Sequence, residues 1–300
     1  SNRGDCPGTS SWCVCVRASL FLCANSYLTI VSVRVHVRQA AIECFRNQNL
    51  IHKRYVMRLL ISCKHYFEKL PSLIEISIPD APPDHESPNN NVAPRVTVCG
   101  DTHGQFYDVL HIFEINGYPS PTNPYLFNGD FVDRGSFSVE VVLTYLLLKL
   151  SSPESVHLTR GNHETRNMNR IYGFEGEVKH KFCDDRVFEL FLEVFRHLPL
   201  AAVVAGDVMV AHGGLPTEPA DVTLDDVRRV PRGMEPPESG LMSDLLWSDP
   251  QPAPGRAPSK RGVGYSFGPD VTESFLDRNG LSLLVRSHEV KEEGYVVEPN

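Results

Sequence analysis

The chain has 300 residues, a formal net charge of −8, 41% hydrophobic and 22% charged residues. That length suits one large domain with a small appendage, and the composition is ordinary for a packed globular core. The acidic balance argues against a general nucleic-acid binder, since a polyanion would be repelled. The eight cysteines contain no C-x-x-C pair, which removes a zinc ribbon and fits a reducing compartment.

Residues 1–39 carry no interpretable pattern. The apolar stretch at 20–33 is interrupted by Asn25 and Ser26 and falls short of the roughly 20 apolar residues a membrane-spanning helix needs, so no membrane association is expected. Residues 40–70 lack Gly and Pro and are rich in helix formers, which predicts a helix. Pro and Asn dominate 79–94 and predict a loop.

From Arg95 onward a short apolar run is repeatedly followed by a loop rich in Gly, Asp, His or Asn. Val96–Cys99 precedes Gly100-Asp101-Thr102-His103-Gly104. The run at 125–127 precedes Asn128-Gly129-Asp130-Phe131-Val132-Asp133-Arg134-Gly135. Residues 156–158 precede Arg160-Gly161-Asn162-His163-Glu164, 208–211 precede His212-Gly213-Gly214, and 283–285 precede Arg286-Ser287-His288. Such runs predict buried strands. Between them, Phe106, Val109, Leu110 and Phe113 follow helical spacing, with Gly117 placed to end the helix. Residues 138–150 and 184–198 predict two more helices. Strand and helix in alternation predict an α/β sheet whose strand ends gather their polar loops along one edge.

Those five loops carry Asp101, His103, Asp130, Asn162, His212 and His288. Oxygen and imidazole donors without thiolates suit borderline cations such as Mn, Fe or Zn. Six donors exceed one tetrahedral zinc and suit two ions sharing a carboxylate, an arrangement that drives phosphoryl transfer to water. Arg134 and Arg261 offer guanidinium forks for phosphate oxygens. His163 can protonate a serine or threonine alkoxide as it leaves, and Asp133 can hold that imidazole. The other eight histidines read as structural or solvated.

GDTHGQ, GDFVDRG, RGNHE and HGG together resemble the phosphoprotein phosphatase family of serine/threonine phosphatases. Longer stretches, among them FNGDFVDRGSFSVEV, RGNHETRNMNRIYGFEGEV and KRGVGYSFGPDVT, resemble its type 5 branch from about Ala40 onward. The resemblance implies a calcineurin-like metallophosphoesterase β-sandwich flanked by helices, with a dinuclear site at strand ends. It implies Asp101, His103 and Asp130 around one ion, and Asp130, Asn162, His212 and His288 around the other. Arg134, Arg261, Asn162 and His163 would contact phosphate, and His163 would be the general acid paired with Asp133. The implied activity is hydrolysis of phosphoserine and phosphothreonine in proteins by a metal-activated hydroxide.

The same resemblance implies phosphoprotein partners and a cytoplasmic or nuclear location. Residues 1–39 are too short for two 34-residue tetratricopeptide repeats, so docking of heat-shock protein 90 is not expected. The family pattern continues beyond the segment at Gly294-Tyr295 with a further strand and loop, which implies an incomplete domain over 40–300 with weak activity or solubility. Two alternatives stand beside the main reading: another dinuclear phosphoesterase acting on small phosphate esters, and an inactive fragment or binding module.

Overall fold

A computed structural model describes residues 30–79, 94–216 and 221–298. Residues 1–29 and most of the loop predicted at 79–94 lie outside the described residues. The single helix expected over 40–70 is instead two, α1 (Ile30–Arg46) and α2 (Lys53–Phe67). Gln48 adopts a left-handed backbone, φ 56°, which stops α1, and the His52 ring accepts the Arg54 N–H at the start of α2. Asn47 Nδ2 donates to Glu43 O at this break, a local side-chain bond of the kind that weakens a helix. α1 also runs across the boundary drawn at residue 39.

The strands form two main sheets rather than one. The first is all parallel in the order β2 (Thr97–Cys99), β3 (Tyr125–Asn128), β4 (Val156–Thr159). The second is mixed, in the order β1 (Leu73–Ile76), β5 (Ala201–Val204), β6 (Val208–Ala211), β10 (Leu283–Arg286). β5 and β6 are an antiparallel hairpin, with β1 and β10 parallel to their neighbours.

Side-chain alternation shows why both sheets read as continuous apolar runs. Leu126 of β3, Ile74 and Ile76 of β1, Ala202 and Val204 of β5 and Val210 of β6 form one buried cluster between the sheets. The alternate residues face outward into helices. Tyr125 and Phe127 pack under α3 (Phe106–Asn116) and α4 (Ser138–Ser151), while Ala201, Val203 and Met209 pack against α9 (Leu241–Trp247) and α10 (Pro269–Asn279). Period two places successive side chains on opposite faces, so a strand covered on both sides is apolar throughout. Each fully buried Phe or Leu contributes about 1.5–3 kcal/mol. The expected helices appear as α3, α4 and α7 (Asp185–His197), with Gly117 ending α3 where the sequence puts it and Asp184 capping the start of α7.

The result is helix, sheet, sheet, helix. The five predicted site loops follow the C-terminal ends of β2, β3, β4, β6 and β10, so the site lies where the two sheets end together. No helix among the described residues is long and apolar enough to cross a membrane.

Candidate metal centre

Asp130 follows β3 and is buried, 1% exposed, in a left-handed backbone with φ 50°. Its Oδ2 lies 3.6 Å from His103 Nε2 and 3.3 Å from His212 Nε2. Asp101 lies beside them, 3.8 Å from His103 Nε2 and 3.7 Å from His212 Nδ1. Two carbonyls orient the rings: His103 Nδ1 is 2.8 Å from Val132 O, and His212 Nδ1 is 2.8 Å from Asn128 O. With Nδ1–H donated to a carbonyl, each ring turns its Nε2 toward Asp130.

The Asn162 side-chain oxygen is 2.9 Å from His212 Nε2, 3.0 Å from His288 Nδ1, and 3.1 and 3.3 Å from the two Asp130 oxygens. Lone pairs at such separations repel unless a proton or cation lies between them. Ligands about 2.1 Å from one octahedral ion sit about 3 Å apart at right angles, so these spacings suit a coordination shell as well as an Asn162 amide turned to donate. His288 Nε2 is buried with no hydrogen-bond partner among the described residues. Two groups of such donors, each with its ligand atoms within 4.8 Å, share Asp130: one adds His103 and His163, the other His212 and His288. Sulfur is absent from both. The donor set therefore fits divalent metal ions, although the first group contains His163 where the sequence reading puts Asp101.

Charge follows the same geometry. Burial alone would raise Asp130, but the His212 charge and hydrogen bond outweigh it and hold the carboxyl below its usual range. Burial would lower His212, yet Asp130 and Asp101 lift it to about 9. Burial and the neighbouring His212 push His288 down to about 2, keeping it neutral. His163 is drawn down by burial and raised more strongly by its bond to Asp133 and by nearby carboxylates, with a net upward shift.

His163 is 2% exposed. Its Nδ1 lies 2.8 Å from Asp133 Oδ2, and its ring sits edge-on to His103 at 4.7 Å between centroids. Asp133 is itself fixed by Asn169 Nδ2 at 3.1 Å and by the Phe174 N–H at 3.0 Å. Arg134 Nη2 lies 3.5 Å from His163 Nε2. Arg261 reaches the rim through the His288 carbonyl at 3.2 Å, while its guanidinium forks onto Asp249. Arg286 is paired with Asp249 and Glu289.

All ten predicted site residues thus meet at one end of the two sheets. Among the described residues, five of the eight non-glycine residues with positive φ are site residues: His103, Asp130, Asp133, Arg134 and His288. Each such residue costs on the order of 1–3 kcal/mol and needs surrounding structure to hold it. Sequence reasoning gave no role to Asn128, Glu164 or Asn169. Asn128 Nδ2 donates to Ala211 O and Ser287 Oγ, both at 2.9 Å, and so ties the sheets beside the site. Glu164 adjoins His163 within RGNHE, a position that could have flagged it. Asn169 lies on α5 (Arg166–Tyr172) and carries no such signal.

Residues 94–292 match the calcineurin-like phosphoesterase family. Residues 33–75 match a family described as the PPP5 TPR repeat region. The chain is 57% identical over 256 residues to serine/threonine-protein phosphatase 5 of Arabidopsis thaliana, covering 85% of this chain and 45% of that one. It is 52% identical over 265 residues to serine/threonine-protein phosphatase 5 of Homo sapiens, covering 88% and 50%. The chain therefore spans about half the length of the curated relatives it matches. A solved serine/threonine phosphatase from Saccharomyces cerevisiae, described as similar to human phosphatase PP5, superposes with TM-score 0.74 at 44% identity, covering 82% of this chain and 74% of that one. With its fold, its donor cluster and these likenesses in agreement, the chain belongs to the calcineurin-like phosphoesterase family, among the serine/threonine phosphatases of the type 5 group.

Proposed function

We propose that this chain hydrolyses phosphoserine and phosphothreonine in proteins, with two ions of Mn, Fe or Zn. Asp101, His103 and Asp130 would hold one, and Asp130, Asn162, His212 and His288 the other. The observation that carries the reading is the meeting of two lone-pair clusters on the single buried carboxylate of Asp130. Bound there, the ions would supply charge neutralisation on phosphate oxygens and a water of lowered pKa.

The remaining work falls to side chains. Arg134 and Arg261 would grip the phosphate oxygens. Water oxygen joins phosphorus as the bond from phosphorus to the serine or threonine oxygen breaks. His163 gives its Nε2 proton to that departing oxygen. Asp133, bonded to Nδ1, keeps the imidazole in the orientation and charge state that allows this. The upward shift of His163 favours the protonated form that an acid needs.

The partners that follow are phosphoproteins. A tetratricopeptide repeat buries its apolar face on a neighbouring repeat. α1 packs instead on α4, and α2 on α4 and α7. That packing supports reading both helices as part of the phosphatase body rather than as a dock for heat-shock protein 90.

The test is turnover of a phosphothreonine peptide against diadenosine tetraphosphate by the Mn-loaded chain. At least tenfold preference for the peptide is expected. Preference for the dinucleotide would move the assignment to small phosphate esters. Two bound equivalents of metal with no turnover of either would leave a binding module.

A further inference from the structure

Glu164 is fully buried in the loop after β4, with 0% exposure. Its Oε2 accepts the N–H groups of Asp130 and Gly161, each at 2.8 Å, and its Oε1 accepts that of Phe131 at 2.8 Å. Among the described residues none of these three N–H groups donates to a backbone carbonyl. Asp130 Oδ1 in turn accepts the His163 N–H at 2.9 Å. Two carboxylates, one on each loop, thus take up backbone donors from the other.

The loops are pressed together to make this exchange. A Cβ on Gly161 would stand 2.3 Å from Asp130 Oδ1 and 2.8 Å from Glu164 Oε2, and one on Gly129 would stand 2.6 Å from Gly161 Cα. Only glycine allows backbones so close. Asp130 meanwhile holds a left-handed φ that residues with a Cβ avoid. Some local force must select that conformation: Glu164 accepts the N–H on each side of Asp130, while Thr102 and His103 donate to the Asp130 carbonyl.

We propose that Glu164 is a positioning residue: its carboxylate sets the Asp130 backbone before any cation arrives, and thereby fixes the one ligand both cation positions share. The proposal rests on the dinuclear reading above. It also accounts for a carboxylate being buried beside Asp130, where like charges repel. Three N–H donors converge on it and offset part of that repulsion.

The experiment is titration of the full chain with Mn(II), free ion read by electron paramagnetic resonance, for wild type and Glu164→Gln. Glutamine keeps the volume and can still accept with its one oxygen, but its amide turns N–H groups toward another N–H. Residues that orient ligands typically alter metal affinity by 10–100-fold. We expect affinity at both positions to fall at least tenfold at a temperature where the variant is folded. Unaltered affinity in a folded Glu164→Gln with a lowered Tm would assign Glu164 to the fold alone and overturn the proposal.

Should Glu164→Gln fail to fold, hydrogen exchange on metal-free wild type decides. Protected amides at Asp130, Phe131 and Gly161 are expected. Exchange at free-loop rates until Mn(II) is added would make the clasp a result of metal binding and overturn the proposal. A wild type that takes up no Mn(II) would sink the dinuclear reading together with this one, whereas tight binding by both proteins sinks this one alone.

Discussion

Thr102 and His103 both donate backbone N–H groups to Asp130 O, Gly104 donates to Phe131 O, and Gly135 returns a bond to His103 O. The loops that leave the first sheet are thus laced to one another, with Glu164 and Asp130 adding side-chain links. The loops leaving β6 and β10 are held differently. His212 and His288 are joined through Ser287 N to His212 O, and His288 N reaches Asp101 Oδ1 at a longer 3.3 Å. Just beyond, Val290 is 98% exposed, and Leu283 of β10 is 48% exposed. Seven of the site residues, Asp101, His103, Asp130, Asp133, Arg134, Asn162 and His163, come from the laced half, and the second sheet adds two imidazoles. One half of the site is preorganised by its own backbone. The other is brought to it by the packing of two sheets.

Asp130→Asn should do the most damage, because it strikes the residue common to both halves. Metal content should fall below one equivalent, and turnover by about three orders of magnitude, given several kcal/mol of charge stabilisation at such sites and 1.36 kcal/mol per tenfold. Elemental analysis with single-turnover rates checks it, and full metal content would break the idea of a shared ligand. His163→Ala should lower turnover by about 10²–10⁴-fold with metal content intact. Lost metal at a full rate per bound ion would make His163 a ligand rather than an acid.

His288→Ala bears directly on the contrast between halves. If they are separable, stoichiometry should drop from two ions toward one, with the laced half still loaded. Complete loss of metal would show that the halves load only together.

Acid offers a smaller effect on the laced half. Burial and the nearby Lys149 charge push His157 on β4 down to about 4. Its folded pKa lies below the unfolded value near 6.5, so below pH 6.5 the unfolded chain binds a proton the folded chain refuses. Stability should therefore be complete above pH 6.5 and fall by roughly 3 kcal/mol as pH drops to 4. A flat denaturation profile across that range, or one unaltered by His157→Gln, would contradict this. Smallest of all, Arg261→Ala should weaken inhibition by inorganic phosphate by about tenfold, one charge-assisted pair, since Asp249 already occupies part of that guanidinium. Unchanged inhibition would leave Arg261 a partner of Asp249 only.

The donors were legible because each lies just after an apolar run, with a glycine adjacent to all but His288, and both signals are local. The helices over α3, α4 and α7 were legible for the same reason: periodicity and caps lie within a dozen residues. The division into two sheets was not local. Nothing in Leu126 or Val210 states that they face each other, and residue-level reasoning led to one sheet until the family resemblance supplied the sandwich. β1 and β5 went unseen because Leu73–Ile76 and Ala201–Val204 are four residues each, too short for periodicity to tell a strand from a helix segment. The break between α1 and α2 turned on one left-handed glutamine, a residue type that gives little warning. Asn169 and Asn128 act through partners 36 and 83 residues away, and such separations leave no trace in spacing.

The seam between the sheets ends at the candidate centre, with Asp130 on one side and His212 and His288 on the other. An ion seated across that seam is a fastener as well as a reagent. Because it binds the folded chain far better than the unfolded one, each site should add about 2.7 kcal/mol at a hundred times its Kd. The melting temperature of this protein is then a reading of free metal in the buffer, and a thermal scan in chelator reports on a looser sandwich than a scan in manganese.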